Sequence, residues 1–116
     1  MKLPATFDDL IDKAESLDLY KKLILQLNKD LLLANIDLQF NEETLPLSLK
    51  QILHETLYDL IQNRFADYLN LLYIIDVSEQ EVRSLDGSDV VRLSEQVVFL
   101  ILKREWQKVW LRWTYS

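Results

Sequence analysis

Three tryptophans and three cations near the end of the chain are the residues best placed to recognise something: Trp106, Trp110 and Trp113 with Arg104, Lys108 and Arg112. On a helix, Trp106, Val109, Trp110 and Trp113 share one side, and the cations line a neighbouring side at i, i+4 and i+8. Aromatic rings beside cations suit stacking on nucleic acid, contact with an anionic membrane surface, or anchoring of a protein partner. The competing role is structural: rings in the core and cations complementing the negative end of the helix. That role is favoured for Trp106 and Trp110, while Trp113, so near the end, is expected at the surface.

Acid–base, nucleophilic and metal chemistry find less material. His54-Glu55-Thr56-Leu57-Tyr58 begins like a zinc-protease helix, but Tyr58 stands where the second imidazole must be. His54 is the only histidine. A general base helped by Tyr58 is its chemical reading, and a histidine at the edge of an apolar face is the preferred one. Asp8, Asp12 and Glu15 share a face of the first helix, where carboxylates usually sit in solvent near the positive helix end. Asp86-Gly87-Ser88-Asp89 lacks the spaced oxygen ligands of a calcium loop and reads as a turn and cap. The chain has no cysteine, and no serine lies in a Gly-x-Ser-x-Gly context. The sequence therefore predicts no catalytic residues, no cofactor and no metal site.

Those side chains must be positioned by helices. The run Val97-Val98-Phe99-Leu100-Ile101-Leu102 leaves no polar face, and a helix apolar all round is normally buried on all sides. Nothing between Asp89 and Trp113 breaks a helix, so residues 89–114 are expected to be helical, opened by Ser88 as cap. With one glycine and two prolines among 116 residues, long helices are favoured over sandwiches or barrels. Phe7, Leu10, Ile11, Ala14, Leu17 and then Tyr20 to Ala34 keep helical spacing with a phase shift near Ser16–Asp18. Residues 7–34 thus form one long helix or two broken at 16–18, capped by Thr6 and ended at Asn35. Residues 36–47 read as an extended connection with Ile36, Leu38 and Phe40 tucked inward. Ser48 to Gln51 forms a capping box before a regular stripe, predicting a helix over 49–75. A second box at Ser78 to Glu81 predicts a short helix near 79–85. The expected fold is all-α: one domain over 1–116, an up-down-up bundle of three long helices (7–34, 49–75, 89–114) with the short helix between the last two.

Charge is uneven. Residues 103–116 hold four cations against Glu105, a net +3, which leaves −9 for the rest of a chain whose total is −6. An acidic body disfavours nucleic acid as a partner. No run reaches the length of a membrane span, and the first residues lack the apolar core of a signal peptide, so a cytoplasmic protein is expected. Leu71–Glu79 (LLYIIDVSE) followed by Leu100–Val109 (LILKREWQKV) resembles a small uncharacterised all-helical bacterial family. The resemblance implies a helical fold and carries no activity.

Beyond the inner stripes lie Leu25, Leu33, Tyr58, Leu71, Ile74, Phe99 and Leu111, an apolar surplus for a narrow bundle. The sequence therefore points to a non-enzymatic acidic helical protein acting through contact with a protein partner or with itself, as a homodimer. Arg104, Lys108, Trp110, Arg112 and Trp113 form the expected interface. The alternatives are an apolar ligand held between helices, or nucleic acid or an anionic surface bound by the basic tail.

Overall fold

The computed structural model describes residues 2–115. They form six helices: α1 (Phe7–Ser16), α2 (Tyr20–Leu33), α3 (Pro46–Asn63), α4 (Phe65–Ile75), α5 (Glu79–Arg83) and α6 (Val90–Tyr115). The fold is all-α, and the expected bundle of three long helices is corrected to six. Residues 7–34 are two helices, the broken form of the two readings, while residues 49–75 are two where one was expected and the short helix is confined to 79–83.

Helices α1, α2 and α4 end the same way. Leu19 N–H bonds Ala14 O and Asp18 N–H bonds Glu15 O; Ile36 with Asn35, and Val77 with Asp76, repeat this pairing. The residue that turns the chain has positive φ each time: 56° at Asp18, 61° at Asn35 and 68° at Asp76. This is the Schellman ending, usually made by glycine. With Gly87 the only glycine, Asp and Asn fill the role, because their short polar side chains tolerate the left-handed region. The next residue, Leu19, Ile36 or Val77, is buried each time, so the turn also drives an apolar side chain into the core.

The break at Arg64 has another origin. Leu49, Leu53, Leu57 and Leu60 form the buried stripe of α3, and a continuous helix would bring Arg64 onto it next. Burying an unpaired guanidinium is costly. The backbone departs from helix there (φ −143°, ψ 57°), and the Arg64 guanidinium reaches solvent, where its Nε bonds Asp67 at 2.9 Å. Helix α4 then buries Tyr68, Leu71, Leu72 and Ile75.

Helix starts follow local chemistry. Thr6 caps α1 by accepting from Asp9 N–H at 3.1 Å, and Ser78 caps α5 by accepting from Glu81 N–H at 3.3 Å. Two expectations shift. Pro46 opens α3 and places Ser48 inside the helix, because proline suits the first helical position. Asp89, rather than Ser88, caps α6 by accepting from Val91 N–H at 3.0 Å. Residues 36–40 form an irregular connection with Ile36 and Phe40 buried and Leu38 half-buried, and Leu38 N–H turns back to Ile36 O at 2.9 Å. Asn28 clamps it, donating to Phe40 O and accepting from Phe40 N–H, both at 2.8 Å.

Helix α6 runs through the middle, packed against each of the other five. Val97, Val98, Leu100, Ile101 and Leu102 are buried, and Phe99 is half-buried with Lys103 Nζ 5.8 Å from its ring centre. Because Asn35 sits at φ 61°, Asn35→Val is expected to cost about 1–2 kcal/mol, while Asn35→Gly should be neutral within about 0.5 kcal/mol. Chemical denaturation of the three proteins checks this.

Candidate functional site

One turn past the apolar run, the core becomes polar. Glu105 on α6 is fully buried and Asp30 on α2 nearly so, with Lys108 and Gln26 beside them. Asp30 Oδ2 accepts from Lys108 Nζ at 2.8 Å and from Gln26 Nε2 at 3.2 Å. Lys108 Nζ also stands 3.2 Å from Glu105 Oε1, but is too poorly aligned to serve it as a hydrogen bond. Burial, then the facing Asp30 carboxyl, pushes Glu105 up to about 9, against the opposing pull of Lys108. A neutral Glu105 can donate its own proton to Asp30 and so gain the partner its oxygens otherwise lack. Burial also works to raise Asp30, but the hydrogen bonds from Glu105, Lys108 and Gln26 outweigh it and hold that carboxyl below its usual range. At neutral pH the cluster is one carboxylate, one ammonium and one carboxylic acid, without net charge. Such a buried network is tolerable because its charges are matched.

Immediately outside this cluster, α2 and α6 part to leave a cleft of about 410 Å³. Lys22, Leu25, Gln26 and Lys29 form its α2 wall at i, i+3, i+4 and i+7; Val109, Arg112 and Trp113 form its α6 wall. Leu25 is 49% exposed and Trp113 51%, so the two apolar walls stand open to solvent. Lys22, Lys29 and Arg112 make no ion pair among the described residues. Gln26 links the two regions. It is buried, its Nε2 is spent on Asp30, and its Oε1 has no hydrogen-bond partner among the described residues.

The structure divides the residues singled out from the sequence. Arg112 and Trp113 line the cleft, and Trp110 is half-buried. Arg104 is turned inward along the fold instead, with Nη2 3.1 Å from the Asp76 carboxylate and Nε 3.1 Å from its carbonyl. Lys108 belongs to the buried cluster. Trp106 is core. His54 Nε2 donates to the Val91 carbonyl at 3.1 Å, tying α3 to the first turn of α6. Asp8, Asp12 and Glu15 join no group of three His, Cys, Asp or Glu side chains able to hold a metal, and there is none among the described residues. Nor is any helix among them long and apolar enough to cross a membrane.

Comparison with protein-family models, curated proteins and solved structures finds no match. The site must speak through its own chemistry.

Sequence reasoning passed over Lys22, Gln26, Lys29, Asp30 and Glu105. A signal was present for two of them. Asp30 falls between Leu27 and Leu31 on the apolar face of α2, and Glu105 follows Val98, Ile101 and Leu102 at core spacing. A carboxylate on each of two core stripes marks a buried polar contact.

The acidities set a pH dependence. Glu105 goes from an ordinary 4.5 to about 9 on folding, so its contribution is fully present below about pH 4.5 and is lost as pH rises toward 9. Asp30 is lowered, so its contribution is present above its ordinary 3.8 and lost as pH falls. Glu105→Gln keeps the shape and a donor but cannot ionise. Thermal unfolding should show its melting temperature several degrees above the parent near about pH 8 and little changed near about pH 5. Parallel pH curves for the two proteins would refute the assignment.

Proposed function

We propose that this protein is a non-enzymatic interaction module, and that its α2/α6 cleft docks an acidic, amphipathic segment of a partner protein. The observation that carries the reading is the juxtaposition of exposed Leu25 and Trp113 with three cations unpaired among the described residues, on a chain of net charge −6. An acidic protein that concentrates free cations around an apolar slot favours a partner supplying carboxylates and an apolar anchor together. Two helix walls, each with an exposed apolar side chain, suit a helix laid in a groove, its apolar side chains inserted at helical spacing. Trp and Arg are the side chains most often found at the energetic centre of such contacts. The three cations also steer association and select against basic partners.

The buried cluster supports the cleft from below. Gln26 lines the cleft and is held by Asp30 through its Nε2, so the α2 wall is anchored to the cluster. Lys108, already matched to Asp30, cannot be drawn out to a ligand without leaving that carboxylate unpaired. Within this reading the outer recognition residues are Lys22, Leu25, Lys29, Arg112 and Trp113, with Arg104, Lys108 and Trp110 shaping the helix that bears the last two.

The test is a titration with an amphipathic peptide that alternates Leu or Phe anchors with Glu at helical spacing, at two salt concentrations. Trp113→Ala and Arg112→Glu should each weaken binding by about tenfold or more, and added salt should weaken it further. Circular dichroism should show both variants folded, since both positions are exposed. Equal affinity in parent and variants would sink the reading. Salt-sensitive binding of a single-stranded oligonucleotide abolished by Arg112→Glu would put nucleic acid in its place, and binding only of an uncharged apolar probe would make the cleft a small-molecule site.

A further inference from the structure

Helix α4 presents a second surface, remote in character from the cleft. Nine of its eleven residues are apolar (FADYLNLLYII), and a helix of that composition is normally covered on all sides. Its inner face is buried on α2 and α6, but Phe65, Leu69 and Tyr73 stand outside at i, i+4 and i+8, exposed by 54%, 51% and 82%. Beside them, between α4 and α5, lies an open groove of about 530 Å³ whose apolar lining includes Leu72, Val77 and Val82.

We infer that this face is the contact between two copies of the chain, packed with their α4 helices antiparallel about a two-fold axis at Leu69. Charge selects the occupant. Every charged residue lining the groove or flanking the stripe is already matched within its own chain: Arg64 with Asp67 at 2.9 Å, Arg83 with Glu79 at 3.3 Å, and Arg104 with Asp76 at 3.1 Å. A basic or acidic partner finds no free counter-charge there, while a second copy meets no uncompensated like charge. Geometry selects the arrangement. A two-fold axis requires each patch to complement itself. The stripe is symmetric about Leu69, so antiparallel pairing sets Phe65 of one copy against the Tyr73 end of the other, where the groove opens. Each copy thus offers one aromatic knob and one groove, and both are used twice. The α2/α6 cleft contributes no residue to this contact.

Sedimentation of the full chain should show a dimer at high protein concentration that Leu69→Glu and Tyr73→Glu each convert to monomer. Both positions are exposed, so circular dichroism and melting of the dilute protein should be unchanged. Leu32→Glu, on the equally exposed outer side of α2, should leave the dimer intact. Because the chain has no cysteine, Leu69→Cys adds a single thiol, and two such thiols at a two-fold axis should form an intermolecular disulfide on mild oxidation. A monomeric parent overturns the inference, as does a dimer that survives Leu69→Glu and Tyr73→Glu. A dimer lost in Trp113→Ala but not in Tyr73→Glu overturns it as well and moves self-association to the cleft, whereas loss of peptide binding alone leaves the α4 contact standing.

Discussion

The structure depends on enclosing α6. A long helix whose middle is apolar in every direction has no stable place at a surface, and burial of apolar area is the dominant favourable contribution to folding. The other helices are arranged as its cover, with α3 and α2 supplying the largest walls and α1, α4 and α5 the smaller ones. Their breaks serve that purpose. Short segments can wrap a central rod where three rigid rods of equal length would lie only beside it. The Asp18, Asn35 and Asp76 turns each redirect the chain while pressing the following Leu19, Ile36 or Val77 into the same core.

Where the cover meets the basic part of α6, enclosure creates an electrostatic problem. Glu105 occupies a core position on the helix that must be buried, and it faces Asp30 across the interface with α2. Two carboxylates there cannot both ionise, so one keeps its proton and Lys108 matches the other. The arrangement locks the relative height of α2 and α6, because sliding either helix by one turn would strand a charge. It therefore sets the alignment of the two walls of the cleft that begins at Gln26, one turn from Asp30, and at Val109, next to Lys108. Core electrostatics and surface recognition are continuous along these two helices.

The acidic average of the chain conceals this local order. The four cations of residues 103–115 do not act as one patch. Arg104 and Lys108 are consumed by Asp76 and Asp30, and Lys103 by Glu81, which leaves Arg112 to join two lysines from α2. Sequence distance is the obstacle: Lys22 and Lys29 lie 90 and 83 residues from Arg112 in the chain, and no periodicity within α6 points to them.

Sequence by itself determined the helical class, the course of α6, the caps at Thr6 and Ser78, the turn at Asn35, the inward lie of Ile36 and Phe40, and the exposure of Trp113. These are local properties, set by residue type, spacing and backbone preference within a turn or two. The break at Arg64 was only half legible. Its cation on an apolar stripe was visible, but whether the chain pays to bury it or bends to expose it depends on what the neighbouring helices can cover. The cleft and the Asp30–Glu105 pair were decided by tertiary structure alone. Each needs two helices brought together at one height, and the energy that aligns them comes from burial and charge matching across the interface, which neither helix contains by itself.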